Sequence, residues 1–253
     1  MDGVAATPHP GPPPHGGREQ GAPFAHVGAA PYTAPALLRL LAWLSPAFPT
    51  GGYAWSHGVE WAVETTEIRD GATLRAWVAD VLRHGGGHND AVLLRHAHRA
   101  AHDVDALVAI TELALAAQPS RERRAESIGQ GNAFLAAAAS WQPANLRALA
   151  DRIGDLPYCV AVGALAGAQG IAETDATLGF LQGFAANLIS AAVRLVPLGQ
   201  STGLAALASL EPIILAVADE TAGKTLDDLG GACFRSDIAA MRHETQYTRL
   251  FRS

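Results

Sequence analysis

The sequence predicts an all-α protein: a single domain of about ten helices over residues 35–253, behind a disordered arm at 1–34. Three observations predict it. Apolar residues recur at spacings of three and four through most of the chain after Pro35. No run of alternating β-branched residues competes with that pattern. From Pro157 to Val217 the chain is almost wholly apolar and rich in Ala and Gly, the composition of packed interior helices.

Residues 1 to 35 hold eight of the fifteen prolines and six glycines, with almost no large aliphatic residues. Such a segment buries too little apolar surface to offset the entropy of ordering. Leu37, Leu38, Leu40, Leu41 and Leu44 then make a short apolar helix that Pro46 ends. Ser45 to Gly52 carries two prolines and two glycines and reads as an irregular turn, with a second helix over Ala54 to Thr65. Leu74, Trp77, Val78, Val81 and Leu82 form a helical stripe closed by Gly85, Gly86 and Gly87. Asn89 is placed to cap the next helix and Ser120 to cap a long one toward Ser140. Gly163 and Gly167, and again Gly179 and Gly183, stand four apart. Glycine costs about 1 kcal/mol in a helix interior, a cost that makes sense where two backbones approach closely. Ala176 to Val193 is eighteen uncharged residues, yet Gln182, Asn187 and Ser190 interrupt it and Arg194 follows; a buried central helix fits better than a membrane span.

Half the residues are apolar and 17% are charged, which excludes disorder for the bulk. Net charge is −6, Lys224 is the only lysine, and no basic tract alternates with aromatics, so nucleic acid is not an expected partner. Cys159 and Cys233 make neither a disulfide framework nor a CxxC site, which fits a reducing compartment. No basic segment precedes an apolar run at the N-terminus, so a cytosolic location is expected.

Several constellations invite a chemical reading. Gly223-Lys224-Thr225 follows an apolar run as in a phosphate-binding loop, and a helical nucleotide-binding hydrolase is the alternative function it suggests. The motif's first glycine would stand at Ala218, however, and Asp219 and Glu220 would repel phosphate; a helix start at Pro212 explains the run more simply. His98 and His102, with His96 nearby, have the spacing of a helical chelate, but no carboxylate or thiol completes a set. His9, His15 and His26 in the arm could bind nickel only loosely. Arg121, Arg123 and Arg124 with Glu122 and Glu126 read either as a solvated face or as a docking patch for an acidic partner. Arg194, amid apolar residues, must be paired or must cap its own helix. No catalytic residue, metal ligand set or cofactor site is assigned.

The final seventeen residues, Asp237 to Ser253, begin as a short helix with Ile238 and Met241 on one side. They end in Tyr247, Arg249, Leu250, Phe251 and Arg252. This aromatic, aliphatic and arginine mixture is poor material for a solvated tail and suits an interface anchor. Two alternatives stand: Leu250 and Phe251 fold back on the chain's own core, or they dock on a partner.

Four blocks carry a resemblance to a known family: LLAWLSPAFPTGGYAWSHGVE at 40–60, PSRERRAESIGQGNAFL at 119–135, NLISAAVRLVPLGQ at 187–200 and MRHETQYTRLFRS at 241–253. In this order they resemble the urease accessory protein F family. The resemblance implies a helical maturation factor, dimerising and not itself a metal enzyme. It would assemble with accessory protein D (also called H) and the nickel-carrying GTPase G to deliver nickel into apo-urease, coupled to GTP hydrolysis by G. It puts partner docking on Arg242, His243, Glu244, Tyr247, Arg249, Leu250, Phe251 and Arg252. A secondary contact falls on Tyr53, Ser56, His57 and Glu60. The Pro/His-rich arm departs from the family pattern.

Overall fold

The computed structural model describes Met1 and residues 34–253; the expectation for the arm therefore falls outside the described residues. Among the described residues there are eleven α-helices, four 3-10 turns and no strand. The helices are α1 Ala34–Trp43, α2 Val59–Glu64, α3 Gly71–His84, α4 Gly86–Arg99, α5 Val104–Ala116 and α6 Arg121–Ala137. They continue as α7 Ala144–Ile153, α8 Tyr158–Ala168, α9 Glu173–Leu195, α10 Gly199–Glu220 and α11 Phe234–His243. They group as one compact unit.

The most apolar stretch lies at the centre. Every residue of α8 from Cys159 to Ala166 is buried, against α4 on one side and α6 on the other. A β-carbon on Gly163 would stand 2.2 Å from the Leu94 carbonyl oxygen, and one on Gly167 would stand 2.3 Å from that of His98. The glycines four apart therefore mark where α8 touches the α4 backbone, as the spacing predicts. Gly179 and Gly183 face Leu44 instead, with looser approach. Around α8, the residues of α4 to α7 and Trp43 form one core; α2, α3, α10 and α11 form a second. The long α9 joins them, giving Ala176 and Phe180 to the first and Leu181 to Ala192 to the second. By length and composition α9 and the apolar run from Gly199 could each cross a membrane, but α9 lies in this core and is half buried by its neighbours.

Local chemistry sets the boundaries. All five residues of the predicted α3 stripe are buried. Asp70 and Thr73 make a reciprocal capping box at its start, and Ser120 caps α6 by accepting from Arg123 N–H at 3.1 Å. Three boundaries differ from expectation. The second helix begins only at Val59, because His57 (φ 58°) and Gly58 (φ 79°) are left-handed. The glycine triplet ends α3, but Gly86 and Gly87 already belong to α4; Asn89 lies inside that helix and its Oδ1 accepts Gly230 N–H at 3.1 Å. Pro212 lies within α10 rather than at a helix start. Arg95, almost fully buried in α4, fastens the end of α10: it pairs with Glu173 at 2.5 Å and donates to Ala218 O and Thr221 Oγ1. A buried guanidinium without these partners would be costly.

Candidate functional site

Polar side chains that sequence reasoning scattered over three segments meet beneath the C-terminal strap, residues 244–253. The left-handed pair His57 and Gly58 turns the chain so that α2 presents Glu60 to this strap. A β-carbon on Gly58 would stand 2.8 Å from Ala240 N, so α11 lies directly against the turn. Glu60, 6% exposed, accepts Leu250 N–H at 2.6 Å and Phe251 N–H at 2.9 Å through its two oxygens. Its Oε2 also meets His243 Nε2 at 3.0 Å, and His243 Nδ1 meets Glu122 Oε2 at 2.6 Å. Both nitrogens of a fully buried imidazole thus face carboxylates. Glu122 Oε1 takes Arg249 at 2.7 Å.

A second carboxylate holds the end of the strap. Buried Glu126 pairs with Arg123, accepts Gln130 Nε2 at 3.1 Å and accepts Ser253 Oγ–H at 2.8 Å. Ser253 O receives Ser56 N–H at 2.9 Å and also the Ser56 hydroxyl; Ser253 Oγ receives His57 N–H at 3.2 Å. Burial pulls the His57 imidazole well below its usual range, and the Arg123 charge adds to this. Its ring stands edge-on to Phe184 at 5.0 Å, and Nδ1 has no hydrogen-bond partner among the described residues. Phe251 is 4% exposed under the Arg194 guanidinium, 4.3 Å from the ring centre, and Arg252 lies over Trp55 at 5.0 Å.

The strap residues therefore divide. In the strap Phe251 faces inward while Tyr247, Leu250 and Arg252 face solvent, and Glu244 accepts Arg121 N–H at 2.8 Å; at the end of α11 His243 faces inward and Arg242 faces solvent. Of the secondary set, Ser56, His57 and Glu60 lie beneath the strap, whereas Tyr53 is 74% exposed in a 3-10 turn. Glu122, Arg123 and Glu126, read from the sequence as a solvated face or a separate docking patch, belong to this site: Glu122 and Glu126 bond His243, Arg249 and Ser253, and Arg123 pairs with Glu126. The charged turn at 121–126 is solvated only in part: Arg121 and Arg124 are exposed, whereas Arg123 and Glu126 are buried and Glu126 holds Ser253 of the strap. Arg194 is exposed rather than buried; it donates to Ser190 O at 3.2 Å, the helix-capping alternative, while stacking on Phe251.

The other constellations have local partners. Thr225 N–H and Oγ lie 2.8 and 2.9 Å from Asp228, Lys224 pairs with the same carboxylate at 3.5 Å, and a 3-10 turn follows instead of a helix. A phosphate here would have to displace Asp228. His98 lies 2.7 Å from Ile171 O and His96 3.1 Å from Lys224 O, while α4 ends at Arg99, short of His102. Among the described residues no group of three or more His, Cys, Asp or Glu is placed to hold a metal ion.

Comparison with known proteins places this architecture. The UreF family model matches residues 68–211, from just before α3 into α10, leaving the strap outside the matched span. A urease accessory protein UreF of Methylobacterium sp. (strain 4-46) is 51% identical over 220 residues, 85% of this chain and 88% of the relative. The protein of that name from Rhodopseudomonas palustris (strain BisB18) is 50% identical over 224 residues, covering 87% and 93% of the two chains. That from Bradyrhizobium sp. (strain BTAi1) is 48% identical over 233 residues, covering 90% and 97%. Identity near one half over nearly the whole of each relative leaves one assignment: the chain belongs to the urease accessory protein UreF family.

Proposed function

We propose that this chain is a non-catalytic scaffold of urease maturation, acting in the cytosol as a homodimer. It assembles with accessory protein D(H) and the GTPase G on apo-urease, so that nickel delivery is coupled to GTP hydrolysis by G. Family membership supports the setting. The strap carries the scaffold reading: Glu60, Glu122 and Glu126 are all engaged in holding it against the domain, while Tyr247 and Leu250 are turned outward. Its inner carboxylates are saturated by N–H, O–H and guanidinium donors, which suits a clamp that fixes a docking segment.

Docking falls on the outward residues Arg242, Tyr247, Leu250 and Arg252, with Phe251, His243, Glu244 and Arg249 fixing the strap beneath them. Tyr53 is the outward member of the secondary set. The test is co-purification of the chain with proteins D and G from cells that also express urease. Tyr247→Ala combined with Leu250→Ala should abolish recovery of D and urease activation while the melting curve stays in place. A double variant that still recovers D would overturn the assignment. Hydrolysis of GTP by the pure chain would overturn the non-catalytic reading and favour the 223–225 alternative.

A further inference from the structure

Charge around the strap is sorted by depth. The carboxylates of Glu60, Glu122 and Glu126 point inward, where backbone N–H groups, His243 and Arg123 consume them. The guanidinium groups of Arg121, Arg194, Arg242, Arg249 and Arg252 point outward. Arg121 and Arg249 share their charge with Glu244 and Glu122. Arg242 has no carboxylate within ion-pair distance among the described residues, and Arg252 only stacks on Trp55. Whole-chain charge does not explain this face, since the protein carries a net −6. Between the arginines stand large apolar side chains open to solvent: Tyr247 is fully exposed, Leu250 66% and Met241 49%.

We propose that this face receives a protein partner presenting an acidic rim around an apolar seat. Leu250 and Tyr247 enter the seat, and Arg242 and Arg252 meet the rim. The proposal rests on the docking reading above and adds the partner's chemistry to it. Two features favour a protein over a polyphosphate. The exposed centre is aliphatic and phenolic, and arginine with tyrosine is the pairing that protein interfaces favour. Unpaired rim charges act mainly on the speed of encounter, because they attract at a distance and are screened by salt.

The probe is purified accessory protein D(H), immobilised, with association and dissociation followed at about 50 and about 300 mM salt. The variants are Arg242→Glu with Arg252→Glu, the same pair to Ala, and Arg83→Glu as a charge control on α3, outside the strap contacts. The glutamate pair should associate about tenfold more slowly at low salt, with a smaller difference at high salt. The alanine pair should fall between it and wild type, and Arg83→Glu should match wild type. Equal melting curves show that folding is unchanged. If the glutamate pair associates as fast as wild type, or if Arg83→Glu slows binding as much, the acidic-rim proposal is overturned while docking stands. If wild type does not bind D at all, docking and rim fall together. A short DNA duplex that binds wild type, and loses binding with the glutamate pair, would assign the face to nucleic acid and overturn the proposal.

Discussion

Glu60 on α2 and Phe251, 191 positions later, are joined by a 2.9 Å hydrogen bond from the Phe251 N–H to the Glu60 carboxylate. The other oxygen of the same carboxylate takes Leu250 N–H at 2.6 Å. One side chain thus fixes two consecutive peptide groups and, with them, which residue faces inward. Phe251 is seated under Arg194 and 4% exposed, whereas Leu250 beside it is 66% exposed. Of the two alternatives read from the sequence, packing on the chain's own core holds for Phe251, while docking is what we propose for Leu250.

Removing this acceptor should release the strap. Glu60→Ala leaves two peptide N–H groups and one face of the His243 imidazole without their partner. Breaking one side of a buried charged network costs about 3 to 5 kcal/mol. Urea unfolding should shift by that amount, and the amides of Leu250 and Phe251 should exchange much faster than those of α8. Amide protection at both residues equal to wild type would show that Glu60 is not what holds the strap.

The neighbours Leu250 and Phe251 should behave oppositely on truncation. Phe251→Ala removes a buried ring and should cost about 3 to 5 kcal/mol of stability. Leu250→Ala removes a side chain that is 66% exposed and should stay within about 0.5 kcal/mol of wild type. Equilibrium unfolding of both variants checks this. A Leu250→Ala variant as unstable as Phe251→Ala would mean that the strap is seated the other way round.

Gly58→Ala tests the turn that starts α2. A β-carbon there would press on the Ala240 backbone, 2.8 Å away, at a φ of 79° that alanine adopts only under strain. A loss of about 2 kcal/mol or more is expected, through strain and a displaced α11. Gly51→Ala, at the similar φ of 73° and ψ of 11° but with nothing within 4 Å, isolates the conformational cost and should lose about 1 kcal/mol. Equal losses in the two variants would show that α11 does not press on the turn.

What the sequence shows and what it hides follows from range. The α3 stripe is legible because its five apolar residues sit within nine positions and all face one core. The Gly163 and Gly167 pair is legible because a costly residue repeated at helical spacing requires a close neighbour. Beside these, Arg123 and Glu126 look like any charged helix start. Yet both are buried, and Glu126 bonds Ser253 127 positions further on, which no local pattern announces. The start of α2 is hidden for a related reason. His57 is left-handed only because Ser253, Phe184 and α11 hold the turn from three directions. The resemblance in the terminal block did locate the strap, but not which of its residues face outward.

The pH dependence of stability should carry the mark of Asp90. Burial raises this α4 carboxyl from 3.8 to about 6; Arg123 and the Cys159 thiol draw it down, and Glu126 pushes it up again. The folded protein thus holds the Asp90 proton more tightly than the unfolded chain does. That contribution is fully present below pH 3.8 and is lost as pH rises through about 6. Each tenfold gain in proton affinity corresponds to about 1.4 kcal/mol, so the ionised carboxylate costs the native state about 3 kcal/mol above that range. Asp90→Asn keeps the shape and removes the titration. It should equal or trail wild type near pH 4, then exceed it by about 1 to 3 kcal/mol at pH 7.5. The depressed His57 acts in the other direction, withdrawing stability as pH falls below 6.5, but it is present in both proteins and cancels in the difference. Urea unfolding of the pair at four pH values between 4 and 7.5 measures this difference directly. A gap that stays constant across the range, or that narrows as pH rises, would show that Asp90 is already ionised in the folded protein at pH 4.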